Sequence, residues 1–198
     1  MAATPPHHPD RVQRLDSPRR LETQLSEQDL ARLLALGGYE DIIDLGSGTG
    51  FYTDRMATYT SGAVYAVELV RELQDHHRAR GAPANVRFVA GDVTHLDLPP
   101  ASADVAVSIA AWHETGGVID LPGLAAALRP DGRFLIVDWR KEPASWEGGP
   151  PAGIRFSKEE VVRALAPFFT ATHAEDLCGN MFAVVARRRD AVSSPPRR

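Results

Sequence analysis

Residues 41–50 read DIIDLGSGTG, and this stretch decides how the rest of the chain is interpreted. Its apolar first half predicts a buried strand, and its glycine-rich second half leads into a helix predicted to start near Phe51. Glycine permits positive φ and lets the backbone approach a ligand with no Cβ in the way. In an open parallel sheet such a turn lies at the carboxyl edge of the strands, where ligands bind. The stretch therefore predicts either a ligand-binding loop or a tight turn with nothing bound.

The spacing of the glycines differs from that of dinucleotide-binding loops. Counted from Gly46, the G-x-G-x-x-G pattern requires glycine at the sixth position, which is Phe51 here. Asp44 places a carboxylate just before the loop, where it would repel a pyrophosphate but attract a cationic amine or sulfonium. A nicotinamide-dependent oxidoreductase is therefore the less favoured of two enzyme hypotheses.

Acidic side chains follow the next two predicted strands. Glu68 ends the second strand, where a carboxylate accepts hydrogen bonds from both hydroxyls of a ribose. Asp92 follows the third strand, where it would accept from an exocyclic adenine amine. Together with Asp44 these groups suit a nucleoside with a positively charged tail. The alternatives are that Glu68 is a solvated strand end and Asp92 a turn former.

The alternation of short apolar runs with helical patterns predicts an α/β fold with a mostly parallel sheet. The predicted strands are 41–45, 63–69, 86–90, 104–109, 133–139, 170–177 and 181–188. The last two are joined by residues 178–180 alone, which is enough for an antiparallel pair and too short for a parallel crossover. Caps and apolar stripes predict helices from Ser26 to Gly37-Gly38, from Leu121 through Leu128 to Pro130, and from Ser157 to about Pro167.

Composition limits the class of protein. The 198 residues suffice for one well-buried core, which we assign to a single domain over 11–190 with an N-terminal lid or helix in 11–40 and disordered ends at 1–10 and 191–198. With 22 basic and 26 acidic residues the net charge is −4, which argues against nucleic-acid binding through an overall positive field. The one cysteine, Cys178, excludes an internal disulfide and a thiolate zinc site. No apolar run is long enough to span a membrane and no signal-type stretch opens the chain, so a cytoplasmic protein is expected.

Five segments, in this order, resemble the motifs of class I S-adenosylmethionine-dependent methyltransferases over roughly residues 10–188. They are DLGSGTG (44–50), VYAVEL (64–69), VRFVAGDV (86–93), LPPASADVAVSIAAWHE (98–114) and LRPDGRFLIVDW (128–139), the last with Asp131 in place of a glycine. The stretch RLDSPRR (14–20) resembles small-molecule branches of the family, including relatives of quinone-biosynthesis C-methyltransferases. The resemblance implies a Rossmann-like, seven-stranded, mostly parallel sheet with an antiparallel last strand and helices on both faces.

The resemblance also implies a cofactor, S-adenosylmethionine, with S-adenosylhomocysteine as product. The residues that would bind it are Asp44, Gly46, Ser47, Gly48, Gly50, Glu68, Leu69, Asp92, Val93 and Ala110. The chain lacks the N-P-P-Y-like motif of enzymes that methylate base amino groups, a cysteine near the fourth strand, and the carboxylate set of metal-dependent catechol-type enzymes. A small-molecule acceptor, with no metal and no nucleic acid, is therefore expected. A non-catalytic binding protein with the same fold remains an alternative.

Residues after the fourth and fifth strands are candidates for the chemistry. His113 is a candidate general base, with a histidine that only bonds to a neighbouring loop as the alternative. Trp112, Trp139 and Arg140 are candidate substrate contacts, although each is equally explained by packing or solvation. The rings of Trp112 and Phe51 would suit a sulfonium, with core packing as the more favoured alternative.

Two segments are candidate lids. One is the N-terminal segment that contains Arg14, Arg19 and Arg20, and the other is the loop 140–156, which contains Trp146. An irregular surface connection is the alternative for the loop. Four other histidines lack ligand spacing and are expected at the surface or in packing: His76, His77, His95 and His173.

Overall fold

The computed structural model of the chain describes residues 10–142, 148–177 and 180–189. The strands are β1 (Ile42–Leu45), β2 (Val64–Glu68), β3 (Val86–Ala90), β4 (Ala103–Ile109), β5 (Leu128–Trp139), β6 (Phe169–Asp176) and β7 (Met181–Arg188). The helices are α1 (Arg11–Leu15), α2 (Arg20–Thr23), α3 (Glu27–Leu34), α4 (Thr53–Thr58), α5 (Arg71–Arg80), α6 (Leu121–Ala127) and α7 (Lys158–Leu165), with a 3₁₀ turn at Ala152–Ile154. The expectations for the two chain ends, Trp146 and Cys178 concern residues outside the described ranges.

The strands form one sheet in the order β3-β2-β1-β4-β5-β7-β6. β1 pairs in parallel with both β2 and β4, so the strand order reverses between β1 and β4. β7 is antiparallel to β5 and to β6. The predicted mostly parallel, seven-stranded sheet with an antiparallel last strand is confirmed. The reversal of order is the point where open α/β sheets leave a crevice at the carboxyl ends of their strands.

Strand residues alternate between two cores, one on each face of the sheet. Ile42 and Val105 belong to the core that includes Leu30, Leu33 and Leu34 of α3. Ile43 and Ala106 belong to the core that includes Leu124 of α6 and Val161 and Leu165 of α7. Because both faces are covered by helices, the central strands are apolar throughout, as in parallel sheets generally.

Helix α7 begins as its sequence predicts. The Ser157 hydroxyl accepts from the Glu160 amide at 3.2 Å, and the Glu160 carboxylate accepts from the Ser157 amide at 2.8 Å. Such a capping box satisfies two amides that the first turn leaves without intrahelical partners. The helix ends at Leu165, before Pro167.

Two helix ends differ from the prediction. α3 ends at Leu34 rather than at the glycine pair, with Ala35 in the left-handed region (φ 45°). The amides of Gly37 and Gly38 instead donate to the Glu40 carboxylate at 2.5 and 3.0 Å, so the glycines belong to the loop that leads into β1.

The second difference concerns Leu128, which was predicted to continue a helical stripe. It adopts extended φ and ψ (−79°, 141°) and opens β5, where it pairs with Ala103 of β4. Arg129 fixes this start because its guanidinium bonds Asp104 at 2.6 Å and Asp41 at 2.8 Å. Pairing with a neighbouring strand thus overrides the local helical periodicity.

Within the described ranges no helix is long and apolar enough to cross a membrane.

Candidate functional site

A cavity of about 590 Å³ opens at the carboxyl ends of β1 to β4. Its volume lies within the range of about 300–1,000 Å³ that is typical of small-molecule sites. The sheet contributes Asp44, Glu68, Asp92 and Ile109, and the segment that contains α1 and α2 contributes a further wall. The carboxylates named from the sequence therefore face one space.

Glu68 is buried at the end of β2, with 7% of its surface exposed. One carboxylate oxygen accepts from the Gly48 amide at 2.8 Å and the other from the Val70 amide at 2.9 Å. Burial raises the pKa of Glu68 in spite of these two bonds. Each carboxylate oxygen has a second lone pair, so Glu68 still has acceptor capacity toward the cavity.

Asp44 is buried more deeply, at the end of β1. Its carboxylate accepts from the Thr53 hydroxyl at 2.6 Å. Burial raises the pKa of Asp44 to about 6, since the Thr53 bond and nearby positive charge offset only part of the cost of desolvation. A carboxylate in this setting is stabilised strongly by a cationic ligand group, because the opposite charge compensates for the hydration that burial removed.

The glycine loop divides into two parts with different roles. Gly46 and Gly48 line the cavity with φ of 77° and 57°. A Cβ at Gly46 would lie 2.7 Å from the Ala111 Cβ, so only glycine fits there. Ser47 also lines the cavity, and its buried hydroxyl has no hydrogen-bond partner in the described part of the chain. These features fit a backbone cradle for a ligand.

Gly50 does not line the cavity, and its expected contact with the cofactor stays a prediction. Its φ is 82°, and a Cβ there would lie 2.1 Å from the His77 ring. His77 is buried, bonds Asp54 through Nε2 at 2.6 Å and packs edge-on against Phe88. Gly50 is thus required for the close packing of α5 against the loop, and the predicted packing role of His77 is confirmed.

The other expected cofactor residues line the same cavity: Leu69, Asp92, Val93 and Ala110. Asp92 accepts from the Thr94 amide at 2.9 Å, so it also forms the turn that was its alternative interpretation. Leu69 is 60% exposed and presents an apolar surface beside Glu68. Ala110 has φ of 55°, and this left-handed turn after β4 exposes backbone to the cavity.

Arginines of the N-terminal segment complete the cavity: Arg11, Arg14 and Arg20. Arg20 is only 8% exposed, donates to the Leu15 carbonyl at 2.8 Å and lies over the Tyr52 ring at 4.7 Å. Burial lowers the pKa of Arg20, although the charges of Asp44 and Asp16 act in the opposite direction. The sequence suggested this segment as a lid, but Arg11 and the burial of Arg20 were not foreseen. Arg19 lies outside the cavity wall.

His113 lies beside the cavity rather than in its wall. It is 8% exposed, and its Nδ1 is 2.8 Å from an oxygen of Asp138, a buried residue near the end of β5. The His113 amide donates to the other Asp138 oxygen at 3.2 Å, and the Trp139 amide donates to the first at 2.6 Å. Asp138, which the sequence analysis did not single out, thus fixes the orientation of the imidazole, and the flanking residues Ala111 and Glu114 line the cavity.

The three expected substrate contacts do not line this cavity. Trp112 is buried in the core that includes α6, edge-on to Phe156. Trp139 packs where a Cβ at Gly149 would lie only 2.7 Å from its ring, and Arg140 pairs with Asp176 at 2.9 Å. Each of these three side chains makes its packing or charge contacts outside the cavity wall.

The Phe51 ring, a candidate contact for the sulfonium, lies against two arginine side chains of the protein itself. Its ring carries the guanidinium of Arg55 at 4.0 Å and that of Arg20 at 5.0 Å. Within the described part of the loop proposed as a second lid, the buried Arg155 donates to the carbonyls of Pro150 at 2.7 Å and Gly148 at 2.8 Å, so these three residues are joined to one another. Among the described residues, no group of three or more histidine, cysteine, aspartate or glutamate side chains could hold a metal ion.

Comparison with known proteins agrees with this geometry. Residues 42–132 match the family described as a methyltransferase domain. An uncharacterized methyltransferase of Mycobacterium tuberculosis is 33% identical over 106 residues, which are 53% of this chain and 42% of the relative. Rat acetylserotonin O-methyltransferase is 31% identical over 108 residues, which are 52% of this chain and 25% of the relative. The match thus spans less than half the length of these curated relatives.

Solved structures extend the similarity to the whole fold. A SAM-dependent methyltransferase from Aquifex aeolicus superposes with a TM-score of 0.82 at 23% identity, covering 93% of this chain and 100% of the other. An S-adenosylmethionine-dependent methyltransferase from Mesorhizobium loti gives a TM-score of 0.66 at 22% identity, covering 79% and 96%. Residues 42–132 therefore resemble a methyltransferase domain, and the chain has the fold of the class I S-adenosylmethionine-dependent methyltransferases.

Proposed function

We propose that this protein transfers a methyl group from S-adenosylmethionine to a small-molecule acceptor. The observation that carries the proposal is the pair of buried carboxylates, Asp44 and Glu68, on adjacent strands at one cavity that also contains the glycine loop. A ligand with an ammonium at one end and a ribose further along matches both. The methyltransferase names of the relatives support the same assignment.

The residues present fit the cofactor along its whole length. Asp44 would accept from its ammonium, and the buried Arg20, which shares the cavity, is suited to its carboxylate. Glu68 would accept from the ribose hydroxyls, while Asp92 and the Val93 backbone would bind the adenine. When bound, the cofactor supplies a methyl group on a sulfonium, which is reactive toward nucleophiles without further activation.

The protein's own part in catalysis is alignment, exclusion of water and acceptance of a proton. Holding donor and acceptor in an attack-ready arrangement is worth about 7–11 kcal/mol of barrier. For an acceptor with an O–H or N–H group, we assign the proton to His113. A carboxylate oxygen of Asp138 lies 2.8 Å from its Nδ1 and favours the tautomer with the proton on Nδ1, so Nε2 would be the basic nitrogen. The likeness of residues 14–20 to quinone-biosynthesis enzymes stays a prediction.

Binding and activity are tested separately. Titration calorimetry should show binding of S-adenosylmethionine and S-adenosylhomocysteine but not of NAD. Glu68→Ala should weaken binding more than about tenfold, because a charge-assisted pair of hydrogen bonds is lost. Glu159→Ala, which removes an exposed acid from α7, is the matched control. An unchanged dissociation constant in Glu68→Ala would remove the ribose assignment, and binding of NAD alone would favour an oxidoreductase.

A panel of phenols, carboxylates, amines and thiols, assayed for release of S-adenosylhomocysteine, then tests methyl transfer. Turnover with one class identifies the acceptor chemistry. Tight cofactor binding with no turnover across the panel would favour the non-catalytic alternative.

A further inference from the structure

The segment between Asp10 and Leu25 forms one wall of the cavity, and we call it the strap. Arg11, Arg14, Leu15 and Arg20 of the strap line the cavity. Leu15 comes so close to the glycine loop that its Cδ1 would lie 3.7 Å from a Cβ built on Gly48. A ligand that fills the cavity therefore contacts the strap and the loop together, so the position of the strap affects how the ligand is held.

The helices of the strap are too short to fix its position by themselves. α1 has five residues and α2 has four, and neither has a side-chain hydrogen bond at its N-cap. No residue of α1 is buried. Isolated helices of this length are unstable in water, so tertiary contacts must hold the strap in place.

Asp16, between α1 and α2, supplies a charged contact to the body of the domain. Its carboxylate oxygens lie 2.6 Å from His76 Nε2 and 2.9 Å from Arg80 Nη1, both on α5. Partial burial alone would raise the pKa of Asp16, but the hydrogen bond with His76 and the charge of Arg80 lower it. Asp16 is therefore held as a carboxylate between two partners on the same helix.

Arg80 links this contact to the ligand-binding loop. Its second nitrogen bonds Asp54 at 2.6 Å, and Asp54 also bonds the buried His77. Asp54 lies in α4, directly after the glycine loop. One guanidinium thus joins the strap to the element that follows the cradle.

A second ion pair lies at the other end of the strap. Arg11 and Glu114 are 3.3 Å apart, both line the cavity, and they are 20% and 53% exposed. Exposed pairs of this kind contribute little, about 0.2–1 kcal/mol. The Tyr52 hydroxyl and the buried Leu25 hold the far end of the strap, and of the two ion pairs nearer α1 the Asp16 contact is the shorter and has two partners.

We propose that Asp16 is a positioning residue that holds the strap closed over the bound ligand through Arg80 and His76, and so sets the ligand's residence time. The ligand named by this inference is the S-adenosyl nucleoside of the proposed function, and the kinetic part of the inference rests on that function. The closure of the strap itself does not, because its contacts are present without ligand.

The test compares Asp16→Asn with Asp75→Asn. Asp75 is also paired with arginines of α5, at 3.1 Å to Arg78 and 3.5 Å to Arg71, and both of these partners lie outside the strap. Hydrogen exchange by mass spectrometry of peptides covering 10–25, in ligand-free protein, should be about tenfold faster in Asp16→Asn, the size of one hydrogen bond to a charged group. Exchange in Asp75→Asn should match the unmodified chain.

Dissociation of S-adenosylhomocysteine, followed by stopped-flow displacement, should accelerate by a similar factor in Asp16→Asn alone. His76→Gln, which leaves the Arg80 contact intact, should accelerate strap exchange and ligand dissociation by a smaller factor. This second variant allows the test to be made even if Asp16→Asn folds poorly. Unchanged strap exchange in both variants would overturn the inference. Failure of the unmodified protein to bind either S-adenosyl compound would instead remove the proposed function. Strap exchange in ligand-free protein would still test whether Asp16 holds the strap closed.

Discussion

Lowering the pH from 7 to 5 should weaken the binding of S-adenosylhomocysteine by about tenfold through Asp44. The pKa of this buried carboxyl is about 6 in the free protein. Its ionised fraction is therefore roughly nine-tenths at pH 7 and one-tenth at pH 5. Only the carboxylate pairs with the ligand's ammonium, which stays charged over this range.

The sign follows from the competition between a proton and the ammonium for one carboxylate. Because the pKa is raised above that of a free aspartate, the proton is retained to higher pH than usual, and binding the ligand must expel it. Affinity is thus full above about pH 7 and falls as the pH drops through 6. The tenfold change corresponds to about 1.4 kcal/mol.

The assay is titration calorimetry at pH 5, 6 and 7 with two ligands. S-Adenosylhomocysteine has the amino-acid tail, whereas 5′-methylthioadenosine has the same nucleoside without it. The pKa of Glu68 is also raised by burial, but Glu68 would contact the ribose that both ligands share. The difference between the two pH profiles therefore isolates Asp44, and Asp44→Asn should abolish it. Parallel profiles for the two ligands, or a difference that survives in Asp44→Asn, would refute the assignment.

Two further predictions concern the packing at Gly50 and the proton acceptor His113. Gly50→Ala should destabilise the fold by about 2–4 kcal/mol in urea unfolding, because the new methyl group overlaps the His77 ring at positive φ. Gly81→Ala, also at positive φ but with open space around it, should cost only about 1–2 kcal/mol, and equal losses would mean that His77 moves aside freely. His113→Ala should lower kcat about 100-fold or more with an O–H acceptor while leaving S-adenosylhomocysteine binding intact. Asp138→Asn should lower kcat by a smaller factor. Full turnover in His113→Ala would mean that the residue has only a structural role.

Local chemistry made much of the fold predictable. The strand limits of β3 and β7 follow from short apolar runs, those of β2 to within one residue at each end, and the start of α7 follows from Ser157 and Glu160. The antiparallel end of the sheet follows from a connection too short for a crossover. The end of α6 differs from its prediction because a distant partner decides it: pairing with Ala103 places Leu128 in β5. The end of α3 differs for a local reason, since the amides of Gly37 and Gly38 donate to Glu40.

The same division holds for the site. The sequence by itself determined which acids end the strands, because parallel strands bring their carboxyl ends to one edge, and so it determined that Asp44, Glu68 and Asp92 share a cavity. Only the tertiary structure decided that the His77 ring packs against Gly50, that Arg20 is buried beside Tyr52, and that His113 bonds Asp138, which is 25 residues away in the chain. Periodicity and turn chemistry depend on residues close together in the chain. Side-chain partnership depends on how crossovers stack elements that are far apart in it.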